Sequence, residues 1–459
     1  MSSQPPKTLS SLPPNSDGRR RPVSMLAIKL WEIAEAMDER LDNPGEVLDI
    51  LVTAVAKGEQ PLDAWQRLHA AAAKHDRVSD LALAYQHTIS EKRIKLLQPE
   101  QQAFVYLRAA EFFAETLADV EGAIGFAERA ALAVPGHAEA FALLERALSV
   151  AQEPTKLAEL YVDACTREAD PARRAELLQR AAELVKESLI EDDRSVEVGQ
   201  RILRIDPGRE DVRAVVVQRL IARGRHKDVI ELLELALRRE PPPTSEEATV
   251  LREWLVDLCL SELKDPARAL GHIEGLLLGQ PEHAIALKWA EALLENRSVS
   301  LRAAAALSDA YEKTGRMDRA IAMLGVELKQ VRGPRRMEVQ RRLGVMRQDV
   351  LNDPAGALEL LAPVVAGDPG NDDLRRRFVS LSLSLNQPEQ AARLLARALT
   401  TSRDPAVRAR VGVDVGQVYL KIGDVKRAQG AFQQALESGH DQQALLEAAR
   451  QLSELYAES

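Results

Sequence analysis

The sequence predicts an all-α fold of stacked antiparallel helix pairs, and three observations predict it. Hydrophobic residues make up 46% of the 459 residues and aromatics only 4%, so alanine and leucine do the packing, which suits close helix contacts better than a sheet sandwich. Helix-closing prolines stand at 135, 171, 207 and 241, at intervals of 36, 36 and 34, a self-similarity that marks one supersecondary unit repeated along the chain. Between these prolines, apolar residues recur at helical spacing on both sides of short Gly, Asp, Asn or Pro breaks. Length alone would suggest about three domains; the internal period overrides that prior.

Residues 1–24 are rich in Ser, Pro, Gly and Arg, lack periodicity, and are expected to be disordered. Arg19-Arg20-Arg21 precedes an apolar stretch too short for a twin-arginine export signal, and Arg20 to Ser24 matches a basic-directed phosphorylation pattern that chance also produces. Periodicity starts at Trp31, with Val47, Leu51 and Ala54 as a second-helix series after the break at Asp42 to Gly45. The same sixteen-residue step leads from Trp65 to Leu81, followed by Tyr85 and Thr88. Ala123, Ala127 and Ala130 come next, then Leu157, Tyr161 and Ala164, then Val196 and Ile202, then Val229, Leu233 and Ala236. The stretch Glu240 to Ser245, with three prolines, is the candidate seam between an array at 25–240 and another at 241–459.

Beyond the seam, Trp254 reopens the pattern and Ala269, Ile273 and Leu276 answer it. The next opener, Ala320, lies 51 residues after Ala269, too far for one repeat, so an extra helix around Trp289 is expected. Regular spacing resumes at Ala357, Leu361 and Val364, then at Ala391, Leu395 and Ala398, and a last helix over Asp441 to Ser459 is expected to cap the final core. Asp-Pro-Ala at 170, 265, 353 and 404 opens helices: the carboxylate accepts orphan amide protons and the proline occupies the first turn.

The plainest unit is Gly416-Gln-Val-Tyr419 to Gly423-Asp424, followed by Ala428, Phe432 and Ala435 on one face of a second helix. This resembles the tetratricopeptide repeat, with departures at Gly412, where the family prefers tryptophan, and at His440, where it prefers proline. The resemblance covers most of residues 26–457. It implies a right-handed α-solenoid of about eleven such repeats, a non-enzymatic scaffold or adaptor whose first helices line a concave groove for segments of partner proteins. Half-tetratricopeptide repeats of RNA-processing proteins share the helix pairs and supply the alternative.

The chemistry-bearing motifs sought are absent: there is no Gly-Lys-Ser/Thr loop, no Gly-x-Ser-x-Gly, no His-Glu-x-x-His and no Cys-x-x-Cys, while His69, His75 and His87 lack ligand spacing. No catalytic residue, metal or cofactor is therefore expected. Cys165 and Cys259 each lie in apolar helical sequence and read as core thiols compatible with a cytoplasmic location. No apolar run approaches the ~18 residues that span a bilayer. Arginine outnumbering lysine in alanine-rich helices points to a high-GC bacterium.

The candidate partner-binding residues lie on the polar stripes of first helices. Arg410, Asp414, Gln417 and Lys421 stand at i, i+4, i+7 and i+11, opposite Val411, Val415 and Val418; Asp373, Arg377 and Ser380 repeat the spacing with Arg376 beside them, and Asp63, Arg67 and Lys74 give an N-terminal counterpart. The same stripes also describe ordinary solvated faces. Arg335, Arg336, Arg341, Arg342 and Arg347 surround a stripe of Val339, Leu343, Met346 and Val350, and with Arg375 to Arg377 they suggest a positive patch. An acidic protein or peptide segment is the expected occupant, since arginine forks match carboxylates. Nucleic acid is not expected, because no aromatic platform accompanies the patch and the chain carries a net charge of −9. The alternative RNA-processing role would use this patch, Arg335 to Arg377.

Overall fold

In a computed structural model, residues 41–90, 94–188 and 193–457 are described, and they form twenty-three α-helices and no strand. The expectations for residues 1–24 and for Trp31 lie outside these residues. The chain divides into two units, Met1–Arg225 and His226–Ser459.

The first unit contains α1 (Pro44–Ala56), α2 (Leu62–Lys74), α3 (Val78–Ser90), α4 (Pro99–Glu111), α5 (Val120–Ala133), α6 (Ala138–Val150), α7 (Pro154–Arg167), α8 (Pro171–Ser188), α9 (Asp193–Ile205) and α10 (Glu210–Ala222). The anticipated series Leu51/Ala54, Leu81/Tyr85/Thr88 and Ala123/Ala127/Ala130 are all buried. Trp65 Nε1 donates to Tyr85 Oη at 2.6 Å, and the His69 ring nitrogen Nε2 lies 2.7 Å from the same oxygen. Helix α4 runs into a π-helical turn, Phe112–Thr116, whose two phenylalanines pack against Tyr85. Burial beside Arg108 pushes the His69 imidazole down to about 3. Arg108 is buried against Glu111 at 2.8 Å and against Glu139 of α6. Burial raises Glu111 to about 7, with Arg108 opposing and Glu139 and Glu115 adding to the rise.

The second unit contains α11 (His226–Leu237), α12 (Ser245–Ser261), α13 (Pro266–Gly279), α14 (Ala284–Leu293), α15 (Ser300–Lys313), α16 (Met317–Leu328), α17 (Gly333–Asp349), α18 (Pro354–Gly367), α19 (Asp372–Ser384), α20 (Pro388–Thr401), α21 (Pro405–Ile422), α22 (Val425–Glu437) and α23 (Gln442–Ala457). The long step after Ala269 is filled by α14, the extra helix, only ten residues long. Helices α21 and α22 approach so closely that a Cβ at Gly416 would lie 2.4 Å from Phe432 Cε1, and one at Gly412 would lie 2.8 Å from Ala435 Cβ. Glycine at 412, the departure from the family's tryptophan, therefore extends the same close contact one turn earlier on the same face of α21. Gly423, at φ +83°, ends α21 in the left-handed region. Helix α23 covers Ala428, Phe432 and Ala435 with Ala444, Ala448 and Leu452.

The Asp-Pro-Ala openings behave as caps: Asp265, Asp353 and Asp404 accept from Arg268, Gly356 and Ala406 amides at 3.0, 2.9 and 2.9 Å, and Asp170 accepts from Arg173 at 3.2 Å. Cys165 and Cys259 are both buried and unpaired with each other. One pattern departs from expectation. The sequence groups Trp254 with Trp65, yet Trp65 is fully buried while Trp254 is 49% exposed, at the edge of the buried stripe Leu251, Leu255 and Cys259 of α12. Val350 is exposed as well, because α17 ends at Asp349.

Candidate partner-binding site

Within each unit, arginines bridge to carboxylates on a helix one repeat away. Arg108 meets Glu139 and Arg180 meets Glu145 in the first unit; Arg268 meets Glu234, Arg302 meets Glu274, and Arg377 meets Asp349 in the second. The guanidinium fork suits this task because it holds two oxygens in one plane. Several sequence-selected residues belong to these bridges. Arg342 is largely buried and bonds Asp309 at 2.7 Å and Glu312 at 2.5 Å, and Arg377 bonds Asp349 at 2.8 Å and Gln348 at 3.1 Å. Arg336 is exposed and donates to the Leu328 carbonyl at 2.9 Å.

The positive patch does not form as the sequence suggests. Arg335, Arg341 and Arg347 pair with Glu327, Glu338 and Asp353, and Arg375, expected at the surface, is 2% exposed. A buried guanidinium needs every donor matched. Arg375 has a partner at each nitrogen: it donates from Nη1 to the Pro369 carbonyl at 2.6 Å and from Nε to Asp414, with Asp372 2.7 Å from Nη2. Burial pushes the Asp414 carboxyl up, against the pull of Arg375.

Arg376, Arg410, Asp414 and Gln417 do come together. They line a cavity of about 580 Å³ where α19, α21 and α23 meet, with Arg375 and Asp372 in its wall. Its four carboxylates are engaged: Asp414 and Asp372 by Arg375, Asp441 by accepting from the Ala444 amide at 3.2 Å, and Glu447 by accepting from Gln451 Nε2 at 3.2 Å. Arg410 Nε makes long ion pairs with Asp372 at 3.5 Å and Asp441 at 3.6 Å and no hydrogen bond, leaving its donors open. Arg376 is exposed and forms no ion pair among the described residues. The uncommitted polar groups are thus mostly donors, flanked by Leu446, which is 65% exposed.

Asp373, Ser380 and Lys421 are exposed on α19 and α21 but lie outside the cavity lining, and Asp63, Arg67 and Lys74 are exposed along α2 in the first unit. Gln443, Glu447 and Arg450 of the capping helix also line the cavity. They had a signal: their i, i+4, i+7 spacing repeats that of Arg410, Asp414 and Gln417. Among the described residues no group of His, Cys, Asp or Glu could hold a metal ion, and no helix is long and apolar enough to cross a membrane.

Fold and site together define an all-α helical repeat protein with polar stripes on alternate helices. Residues 351–411 match the tetratricopeptide repeat family, within a chain whose described residues are all-α helical repeats. No curated protein sequence matches the chain at a significant level. Among solved structures, it is similar to YrrB, a TPR protein with an unusual peptide-binding site, at 19% identity over 42% of this chain and 95% of that one, with a TM-score of 0.30. It is also similar to yeast Tom70, at 12% identity over 94% and 96% of the two chains, with a TM-score of 0.26.

Proposed function

We propose that the chain is a non-enzymatic scaffold that holds an acidic segment of a partner protein in the cavity between α19, α21 and α23. The observation that carries this reading is the imbalance inside the cavity: its carboxylates are already engaged, while Arg376, Arg410 and the amides of Gln417 and Gln443 remain available to an incoming carboxylate. Leu446 offers an apolar contact beside them. Preorganisation supports the mechanism, since Arg375 fixes α19 to α21 before any ligand arrives and so lowers the ordering cost of binding. The RNA-processing alternative draws no support from Arg335 to Arg377, because most cations there are matched by acids of the same chain.

Fluorescence anisotropy with short amidated peptides, identical except for glutamate or glutamine before a leucine, tests the proposal. The glutamate peptides should bind more tightly, and Arg376→Glu should cost about tenfold, the scale of one charge-assisted hydrogen bond. Equal binding of the glutamine peptides, or indifference to Arg376→Glu, would remove the assignment.

A further inference from the structure

Helix α12 carries an exposed stripe that the cavity at α19–α23 does not involve. Its core face is Leu251, Leu255, Val256 and Cys259. On the solvent side, Glu246, Val250, Trp254 and Asp257 fall at i, i+4, i+8 and i+11, and both Val250 and Trp254 are 49% exposed. Trp254 is half-exposed beside an exposed valine, whereas the other rings that fill helix contacts, Trp65, Tyr85, Tyr311 and Phe432, are packed away. Neither Glu246 nor Asp257 forms an ion pair among the described residues. The basic groups nearby face elsewhere: Arg239 is bound to Glu247, and Arg252 lies over Gly275 of α13. The stripe is therefore apolar in the middle and uncompensated acid at both ends.

We infer that this face of α12 docks an amphipathic helix of a partner protein, with apolar side chains set on Val250 and Trp254 and lysine or arginine reaching Glu246 and Asp257. Charge selects a basic partner, since each acid lacks a counter-ion and tryptophan is the residue that most often anchors an interface. Geometry selects a helix. The backbone of α12 is internally bonded and offers no main-chain partners, so an extended segment would leave its own amides without protein partners at the contact, whereas a helix satisfies itself. The eleven-residue step from Glu246 to Asp257 spans about 16 Å of axis, so the partner's two cations stand about eleven positions apart on one face.

The experiment uses the full chain and a displayed library of helical peptides, roughly 20 residues long so that helix can form, with one face randomised. Selection should enrich apolar residues flanked by lysine or arginine at that separation. Trp254→Ala should weaken the selected peptides about 30-fold, the scale of an interface hot spot, with the helical signal of the protein unchanged. The double variant Glu246→Lys, Asp257→Lys should turn the preference towards acidic helices, a readout that loss of folding would not give. Peptides indifferent to both variants, enrichment without cationic preference, or no enrichment would each overturn the inference. So would a dimer in sedimentation that Trp254→Ala dissolves, because a second copy would then be what covers the stripe. None of these outcomes bears on peptide binding at Arg376.

Discussion

Single residues set the tolerances of the array. Gly416→Val should lower stability by about 1–3 kcal/mol, because the new side chain must occupy space held by Phe432; the urea midpoint reads it, and an unchanged midpoint would mean that α21 and α22 can part without cost. The cluster around Arg108 sets a pH response. Glu111, raised to about 7, contributes stability that is present below its unfolded value near 4.5 and is lost as pH climbs to about 7. His69, depressed to about 3, contributes stability that is present above 6.5 and is lost as pH falls. The two oppose each other between 4.5 and 6.5. Glu111→Gln should therefore make the melting temperature climb more steeply between pH 4.5 and 6.5 than in the unaltered chain. A variant with the same profile would place the titration elsewhere.

Helices and their ends were the most legible feature of the sequence. The Asp-Pro-Ala signals predict helix starts and the small–aromatic–small series predict the second helices, because capping and close approach are local and depend on residue type at fixed spacing. The inserted α14 was legible as a count, 51 residues where one repeat has about 34. The inward turn of Arg375 was harder to read. Three arginines in a row look like a surface, yet Arg375 shares a helix face with buried Phe378 and Ser382, and its partners Asp414 and Pro369 come from outside its own helix. Trp254 fails for the converse reason, since a repeat signature says which residue is present and the phase of α12 decides where it points. The cavity was half legible, with the stripe on α21 foreseen and the matching one on α23 overlooked. Helix α18 offers a test at this scale: Pro363 lies inside it, exposed, and cannot donate to the preceding turn. Pro363→Ala should raise the melting temperature, by up to about 3 kcal/mol of stability; a fall would show that the proline shapes α18 for its neighbours.

Across the whole molecule, stability in a repeat array is a sum of neighbour contacts rather than the property of one core. The bridges from Arg108 to Glu139 and from Arg377 to Asp349 each join elements one repeat apart, so damage should stay local at first. Two buried thiols make that measurable. Cys165 belongs to the first unit and Cys259 to the second, and burial lifts the latter to about 11, so that little thiolate forms at neutral pH. A thiol reagent should leave both untouched in the native chain and modify each at the urea concentration that opens its own surroundings, resolved by peptide mass. Immediate modification of Cys259 would contradict its burial. The chain thus comes supplied with two internal clocks, one in each half, and a change made anywhere along it can be timed without attaching a dye.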